Sequence, residues 1–421
     1  MKKYILIFVL SLILVTTNIV KAQNLLIPMD NKQNDHLRAY GLVYWSLQSP
    51  RQYKAEWLLN YRSGSFLIED HNDVRQKANI MGVSFETLSA SDLNTIYQII
   101  DNSNMESVSL EKAPKIAIYT PPDREPWDDA VTLALTYADI PYDTLWDKEV
   151  LAGKLTLYDW LHCHHEDFTG QYGKFYGAYR NALWYQKQVM RFKKSAQESG
   201  YSTVKEHKLA VAKSIKDYAL QGGFFFMMCT PDTLDIALSA EGIDIISPEI
   251  DGTPIDPDCQ SKLDFSRTLA FENFILETRP DVYEFSNIDN PKPNLNPMDG
   301  LEDFVLFEFA AKHDPIPTML TQNHVNTVRG FLGQTTSFNK DTIKNTITIM
   351  GDIEGSNYAK YLHGTIGRGT FTFLGGHDPE DYKHRVGDPQ TNLALHKNSP
   401  GYRLILNNVL FPAAKKKNRK T

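Results

Sequence analysis

Short apolar strands alternate with helices along this chain, and this alternation restricts the fold more than any other feature of the sequence. The apolar segment Phe224–Cys229 follows a predicted helix over His207–Leu220 and leads directly into another over Thr233–Ala240. Such alternation is typical of a mostly parallel sheet with helices on both faces. At 421 residues the chain has room for one large domain of this kind or for two domains. We therefore predict an α/β fold with a mostly parallel sheet.

The first 22 residues have the pattern of a signal peptide. Lys2 and Lys3 precede an apolar run over Tyr4–Val15, and Val20–Ala22 places small residues where a signal peptidase cleaves. A run of about 12 residues is too short for a membrane span of about 20. We predict export to the periplasm or beyond, with no stable membrane span after cleavage.

The charge of the chain bears on its partners, and the order of its predicted elements divides it into regions. Cleavage would remove three lysines and no acids, which changes the formal charge from -7 to -10. A mildly acidic protein is unlike a general nucleic-acid binder, so no nucleic-acid partner is expected. We predict an N-terminal α/β region over 23–112, a larger α/β domain over 113–412 and a basic tail over 413–421.

Two segments place reactive side chains at the carboxyl ends of predicted strands, where ligands bind in open α/β sheets. Cys229 ends one strand and precedes a helix N-terminus, a position that favours the thiolate. The strand Thr370–Leu374 leads through two glycines to His377, Asp378 and Glu380. We predict a catalytic Cys-His-acid site in which Cys229 attacks, His377 transfers protons and one of the two acids orients the imidazole.

A second polar cluster follows another predicted strand. His162, His164 and Glu166 recur at every second position, which is a spacing that could hold a divalent metal. The residues predicted to contact substrate are His165, Asp167, Gln171, Tyr172 and, from an earlier strand end, Arg62.

Several alternatives stay open at this stage. The thiol of Cys229 could be a buried structural group, and Cys163, Cys229 and Cys259 could be free or include one disulfide. A metal mechanism would use a hydroxide held by His162, His164 and His377. A non-catalytic protein would bind a sugar or peptide, with aromatic side chains stacking on the ligand. The candidates for stacking are Trp127, Tyr172 and Trp184.

The segments Gly222–Cys229 and Gly367–Glu380 resemble the class I glutamine amidotransferase-like fold, and the resemblance extends over 113–412. It implies a flavodoxin-like core, a nucleophile at an elbow after a central strand, and a histidine and a glutamate late in the chain. Catalytic members carry small residues two positions either side of the nucleophile, where this chain has Met227 and Pro231. They also space the histidine and glutamate one residue closer than His377 and Glu380.

Over the whole mature chain there is a closer resemblance, to exported Bacteroidetes proteins often labelled asparagine synthetase B-like. The segments that carry it are Leu26–Asp30, Glu56–Arg62, His162–Lys174 and Gly375–Glu380. Asparagine synthetase activity itself is not expected, because the sequence has neither the N-terminal cysteine nor the S-G-G-x-D-S loop for ATP.

These patterns predict an exported hydrolase, or an enzyme of amide or acyl transfer, that acts on a small molecule or glycan fragment. The alternative is a non-catalytic sugar- or peptide-binding protein on the same fold.

Overall fold

A computed structural model describes residues 24–122, 129–163, 165–290, 303–383, 385 and 387–415. The predicted signal peptide, most of the basic tail, Trp127 and His164 lie outside these ranges.

The N-terminal sheet, which lies between residues 24 and 110, has five strands in the order β4-β1-β3-β2-β5, and every neighbouring pair is antiparallel. Its strands are β1 (Asn24–Ile27), β2 (Ala55–Leu59), β3 (Ser65–Glu69), β4 (Glu86–Leu88) and β5 (Glu106–Leu110). The helices of this region are α1 (His36–Leu47), α2 (Asn72–Met81) and α3 (Ala90–Asp101).

The large sheet has ten strands. They are β6 (Ile116–Tyr119), β7 (Asp143–Leu145), β8 (Trp160–Cys163), β9 (Phe224–Met228), β10 (Phe304–Leu306), β11 (Thr327–Val328), β12 (Phe338–Asn339), β13 (Thr348–Asp352), β14 (Tyr358–Ile366) and β15 (Gly369–Leu374). The run β7-β6-β8-β9-β15 is parallel, whereas β15-β14-β13-β10-β11 is antiparallel and β12 pairs with β14. The sheet is therefore mixed.

The helices of the second region pack on both faces of the large sheet. They are α4 (Ala130–Tyr137), α5 (Asp147–Leu151), α6 (Tyr176–Tyr179), α7 (Leu183–Glu198), α8 (Val204–Leu220), α9 (Asp232–Ser239), α10 (Pro248–Asp251), α11 (Cys259–Lys262), α12 (Pro315–Leu320) and α13 (Pro400–Leu410). Helices α1, α4 and α13 contact one another and share one apolar core with both sheets. Helices α8 and α9 pack with a second core on the opposite face, which includes Phe225 and Phe373.

The prediction of a mostly parallel sheet is wrong, although the α/β class is confirmed. The N-terminal sheet is antiparallel throughout, and the antiparallel half of the large sheet is as extensive as its parallel half. A class I amidotransferase-like core, which was expected together with the parallel sheet, is not shown by this topology. The sequence pattern missed Ser65–Glu69, Glu106–Leu110 and Tyr358–Ile366, and each of these strands pairs antiparallel with a neighbour. When these strands are overlooked, the remaining strands alternate with helices, and that alternation wrongly predicts a parallel sheet.

The short apolar segment Thr318–Leu320, which the sequence alone would predict as a strand, is part of helix α12. Pro315 stands at the start of this helix, where the missing N–H of proline costs nothing. Thr318 Oγ1 donates to Asp314 O at 2.6 Å, a hydrogen bond that suits a helical turn better than a strand.

Two further findings bear on the expectations from sequence. The three cysteines are all free and buried, which resolves the disulfide alternatives in favour of thiols. Among the residues that the structure describes, no helix is long and apolar enough to cross a membrane.

A buried cationic cluster joins the N-terminal sheet to α13. Arg403, which is fully buried, donates from Nη1 to Met29 O at 2.9 Å. The rings of His36 and His324 stack beside it with their centroids 4.2 Å apart. Burial, together with Arg403, lowers the pKa of His36 to about 4, and burial, together with His36 and Arg403, lowers that of His324 to about 3. Both imidazoles are therefore neutral at physiological pH.

We expect this cluster to make the fold sensitive to acid. Below the ordinary histidine pKa of about 6.5 the unfolded chain binds protons that folded His36 refuses until about pH 4, so stability falls across that window. His36→Gln should lessen the loss of unfolding free energy between pH 6.5 and 4.5 by about 1–2 kcal/mol, measured by urea denaturation. The exposed His71→Gln is the control, and an unchanged slope in His36→Gln would contradict the assignment.

Candidate functional site

The carboxyl ends of β8, β9 and β15 meet at one edge of the large sheet. The parallel registers pair Cys163 with Met227 and Met228 with Leu374, so the loops that follow these three strands start side by side. These loops carry His165, Cys229 and His377. The topology thus brings together the ends of three predicted segments that are far apart in sequence.

Cys229 stands at a sharp turn between β9 and α9. Its φ angle is 68°, in the left-handed region that a non-glycine residue adopts at a cost of about 1–2 kcal/mol. Its backbone N donates to Gly376 O at 3.1 Å, which ties the turn to the loop after β15. Met227 packs in the core below, and Pro231 has helical backbone with φ -67°, so neither side chain prevents the turn.

The thiol of Cys229 is buried and hydrogen-bonded. Its exposed fraction is 1%, and Gln334 N donates to Sγ at 3.3 Å. Thr335 N donates to Cys229 O at 2.5 Å. Tyr283 is an electrostatic neighbour of the thiol. Burial raises the pKa of the Tyr283 hydroxyl well above its ordinary value. An N–H that donates to sulfur stabilises the thiolate and opposes the effect of burial.

The loop over residues 331–337 approaches the loop after β15 closely, and much of the contact is between backbone atoms. A Cβ added at Gly333 would lie 2.6 Å from Gly376 Cα, and one added at Gly375 would lie 2.4 Å from Thr336 O. Gly376 N donates to Thr335 O at 2.8 Å, and His377 N donates to Leu332 O at 2.8 Å. Glycine is thus required at positions 333 and 375, where the loop over residues 331–337 packs against the loop that leads to His377.

Substitution of Gly333 by alanine is expected to destabilise the protein by about 2 kcal/mol or more, because the new methyl group meets backbone that cannot rotate away. The control is Gly355→Ala: there the methyl meets no atom within 4 Å, and only the left-handed φ of 76° opposes it, at about 1 kcal/mol. The measurement is the midpoint of thermal unfolding, and equal losses in the two variants would contradict the close packing.

His377 is buried beside a second imidazole. Its exposed fraction is 3%, and its ring stacks on that of His165 with the centroids 5.8 Å apart and an interplanar angle of 22°. Burial lowers the pKa of His165 to about 4, although Asp129 opposes the shift. His165 is therefore neutral at physiological pH and can lie against His377 without charge repulsion.

Asp378 and Glu380 are the two acids predicted to orient His377. The contacts given for them in the structure are with groups other than the His377 ring. Asp378 accepts from the backbone N of Glu380 at 2.8 Å and of Asp381 at 3.3 Å. Glu380 accepts from the Tyr382 hydroxyl at 2.7 Å and pairs with His396 Nδ1 at 2.9 Å. Both carboxylates thus build the turn after β15.

Two of the three predicted metal ligands, His162 and Glu166, are described, and His164 lies outside the described residues. His162 Nδ1 lies 3.1 Å from Phe226 O and its Nε2 lies 3.5 Å from Asp129 Oδ1, so both ring nitrogens are engaged. Burial raises the pKa of Glu166 to about 8, although Lys208 nearby opposes the shift. No group of three or more His, Cys, Asp and Glu residues that could hold a metal occurs within the described ranges.

Most of the predicted substrate contacts lie near the site, and one does not. Asp167 accepts from Thr169 N at 2.7 Å and from Gly173 N at 2.9 Å, and Gln171 is buried in the same loop. Arg62 lies with the N-terminal sheet, where it pairs with Asp30 at 2.7 Å and Glu86 at 2.9 Å.

Two of the three aromatic side chains proposed for ligand stacking are among the described residues. Tyr172 is 2% exposed and packs edge-on against Tyr185, with the ring centroids 6.4 Å apart. Trp184 is half-buried against Tyr179 and Phe175. Trp127 is among the residues that the structure does not describe.

Sequence reasoning missed three residues that surround the thiol. Asp232 is fully buried, burial raises its pKa to about 7, and its Oδ1 accepts from Thr335 Oγ1 at 2.7 Å. Asp232 follows Cys229 by three residues at a predicted helix start, which was a usable signal. Gln334 and Thr335 follow a Gly-Phe-Leu-Gly segment without a phosphate-binding pattern, and their role depends on a long-range contact that no local pattern reveals.

A cleft of about 970 Å³ opens at the opposite edge of the large sheet, at the amino ends of β9 and β15. Its lining includes Gly223, His363 and Arg368. None of the predicted site residues lines it.

Comparison with known proteins identifies no family. No protein-family model matches the chain, and no curated protein matches it. Two cytoplasmic proteins of Salmonella typhimurium are similar over 72% of this chain and 100% of their own, at 12% and 13% identity with TM-scores of 0.34 and 0.37. A GH42 beta-galactosidase is similar over 63% of this chain and 28% of its own, at 11% identity with a TM-score of 0.28. These similarities are too low to carry an argument about fold or activity.

Proposed function

We propose that the protein is a hydrolase, or an enzyme of amide or acyl transfer, that uses Cys229 as its nucleophile. The observation that carries this proposal is the left-handed backbone of Cys229 at the carboxyl end of β9, immediately before α9. Strained backbone of this kind costs stability and is concentrated at functional sites. A strand-turn-helix elbow also presents its nucleophile at the edge of the sheet where ligands bind.

In this mechanism His377 removes the thiol proton and the Cys229 sulfur attacks the carbonyl carbon of the substrate. The new S–C bond replaces the bond to the leaving group, which departs with the proton carried by His377. Water, deprotonated by the same imidazole, then cleaves the thioester and restores the thiol. We assign a part in holding His377 to the hydrogen bond from its backbone N to Leu332 O and to the stacking of its ring on His165.

The substrate class proposed is a small molecule or glycan fragment that carries an amide or acyl group. We also propose that the protein is exported, on the basis of the pattern over residues 1–22, and that it belongs with the exported proteins that its sequence resembles. Detection of a mature N-terminus at Gln23 in periplasmic or culture fractions would test the export.

Acyl transfer to the thiol can be tested without the natural substrate. Incubation with p-nitrophenyl acetate, followed by acid quenching and peptide mass spectrometry, is expected to show an acetyl thioester on Cys229. Cys163 is the internal control, because it is equally buried but lies within strand β8 rather than at a turn. An acetyl group on Cys163 alone, or on neither thiol while p-nitrophenol is released, would contradict the proposal.

A further inference from the structure

A chain of hydrogen bonds connects a buried carboxyl group to the thiol of Cys229. Thr335 Oγ1 donates to Asp232 Oδ1 at 2.7 Å, and Thr335 N donates to Cys229 O at 2.5 Å. The preceding amide, Gln334 N, donates to Cys229 Sγ at 3.3 Å. Asp232 therefore anchors, through Thr335, the peptide whose N–H points at the sulfur.

We propose that Asp232 is a positioning residue that sets the proton affinity of the Cys229 thiol, by fixing Thr335 and the Gln334 amide against it. This inference rests on the proposed role of Cys229 and adds to that role the group that makes the thiol reactive. Asp232 acts through two intermediate residues and does not contact the sulfur in this arrangement.

The burial of Asp232 argues for a role beyond packing. The side chain is fully buried, and its Oδ2 makes no hydrogen bond to any residue that the structure describes. A half-satisfied carboxyl group in the interior costs free energy, and an apolar residue of similar volume would avoid that cost. Burial raises the pKa of Asp232 to about 7, and Thr335 and the helix amides oppose the shift. Either protonation state leaves Oδ1 able to accept from Thr335.

The effect on the thiol follows from the polarity of the N–H group. A donor aimed at sulfur favours the thiolate over the thiol, and hydrogen bonds to charged groups contribute about 1.5–3 kcal/mol. Partial loss of this bond should raise the thiol pKa. The titratable and charged groups around the thiol and its donor peptide are His377, Tyr283, Asp232, Asp167, Asp289 and Lys360. Each is retained in a variant that changes Thr335 alone.

The test is the pH dependence of alkylation by iodoacetamide in the full chain, followed at each cysteine by peptide mass spectrometry. In Thr335→Val, which removes the hydroxyl at nearly constant volume, we expect the midpoint for Cys229 to rise by about one pH unit, a tenfold change in proton affinity. Asp232→Ala should give the same shift. Asp232→Asn, which keeps an oxygen acceptor at this position, should restore the native midpoint.

The midpoint of the alkylation profile reports the proton affinity of the Cys229 thiol, whereas the alkylation rate also depends on how exposed the thiol is. A loosened loop would raise the alkylation rate at every pH without moving the midpoint, and that outcome would overturn the proposal. An equal displacement of the midpoint in Asp232→Asn and Asp232→Ala would also overturn the proposal. The proposed role of residue 232 is to accept a hydrogen bond from Thr335, which asparagine can do without a charge. Should Asp232→Ala fail to fold by circular dichroism, Thr335→Val decides alone. A shifted midpoint in a protein that transfers no acyl group would leave this inference standing while the proposed function fails.

Discussion

Cys229→Ala is expected to lower the turnover of acyl substrates by at least about 10³-fold while leaving the fold intact, because alanine at this position has no sulfur to form the thioester. Loss of one buried sulfur removes little apolar surface, and alanine occupies the same φ of 68° with no greater strain. The measurement is the steady-state hydrolysis of p-nitrophenyl acetate and of a panel of amides, with thermal unfolding recorded on the same samples.

The matched control is Cys163→Ala. Cys163 is as buried as Cys229 and lies at the end of the neighbouring strand, but it has extended backbone and packs in the core below the sheet. Its replacement should lower stability and leave kcat/KM unchanged. Full hydrolytic activity in Cys229→Ala would end the thiol mechanism and leave the buried cysteine a structural role.

His377→Gln should lower kcat by about 10²–10⁴-fold, because glutamine can hydrogen-bond but cannot carry the proton between thiol and leaving group. Because this variant lacks the proton-transfer group, the pH dependence of its residual turnover should differ from that of the native protein. His377 is buried, so a parallel measurement of unfolding is needed to separate catalysis from stability.

His396→Gln is the control for this second variant. His396 pairs with Glu380 on the same turn, at 2.9 Å, but is far more exposed than His377. Native turnover is expected for it. If His377→Gln changed neither turnover nor the alkylation profile of Cys229, the site would lie elsewhere in the protein.

The elements that the sequence predicted well are those with strong local signals. The helical spacing of apolar residues in the sequence predicts helices over His36–Leu47 and Asn72–Met81, and α1 and α2 have these bounds. One of the missed strands, Glu106–Leu110, is polar and has only two buried positions out of five, whereas Ser65–Glu69 and Tyr358–Ile366 are mostly buried and lack a clear alternation. Their pairing partners decide whether a sheet is parallel, and partners are distant in sequence.

The candidate site shows the same division between local and long-range information. Cys229 and His377 were predicted because each ends an apolar strand, and strand ends are visible in the sequence. The sequence did not predict the contacts of Asp378, Glu380 and Arg62. In the folded chain each of these side chains binds a group other than the one expected for it. Gln334 and Thr335 reach Cys229 across more than a hundred positions, which no spacing rule describes.

The layer of helices between the two sheets has a consequence for how the chain is made. Helix α1, which covers the N-terminal sheet, packs against α13, and buried Arg403 binds Met29 O, so the first region is completed by a residue synthesised 374 positions later. Domains usually fold as units from the N-terminus during synthesis. Here a nascent chain would hold the face of its first sheet uncovered until α13 had left the ribosome.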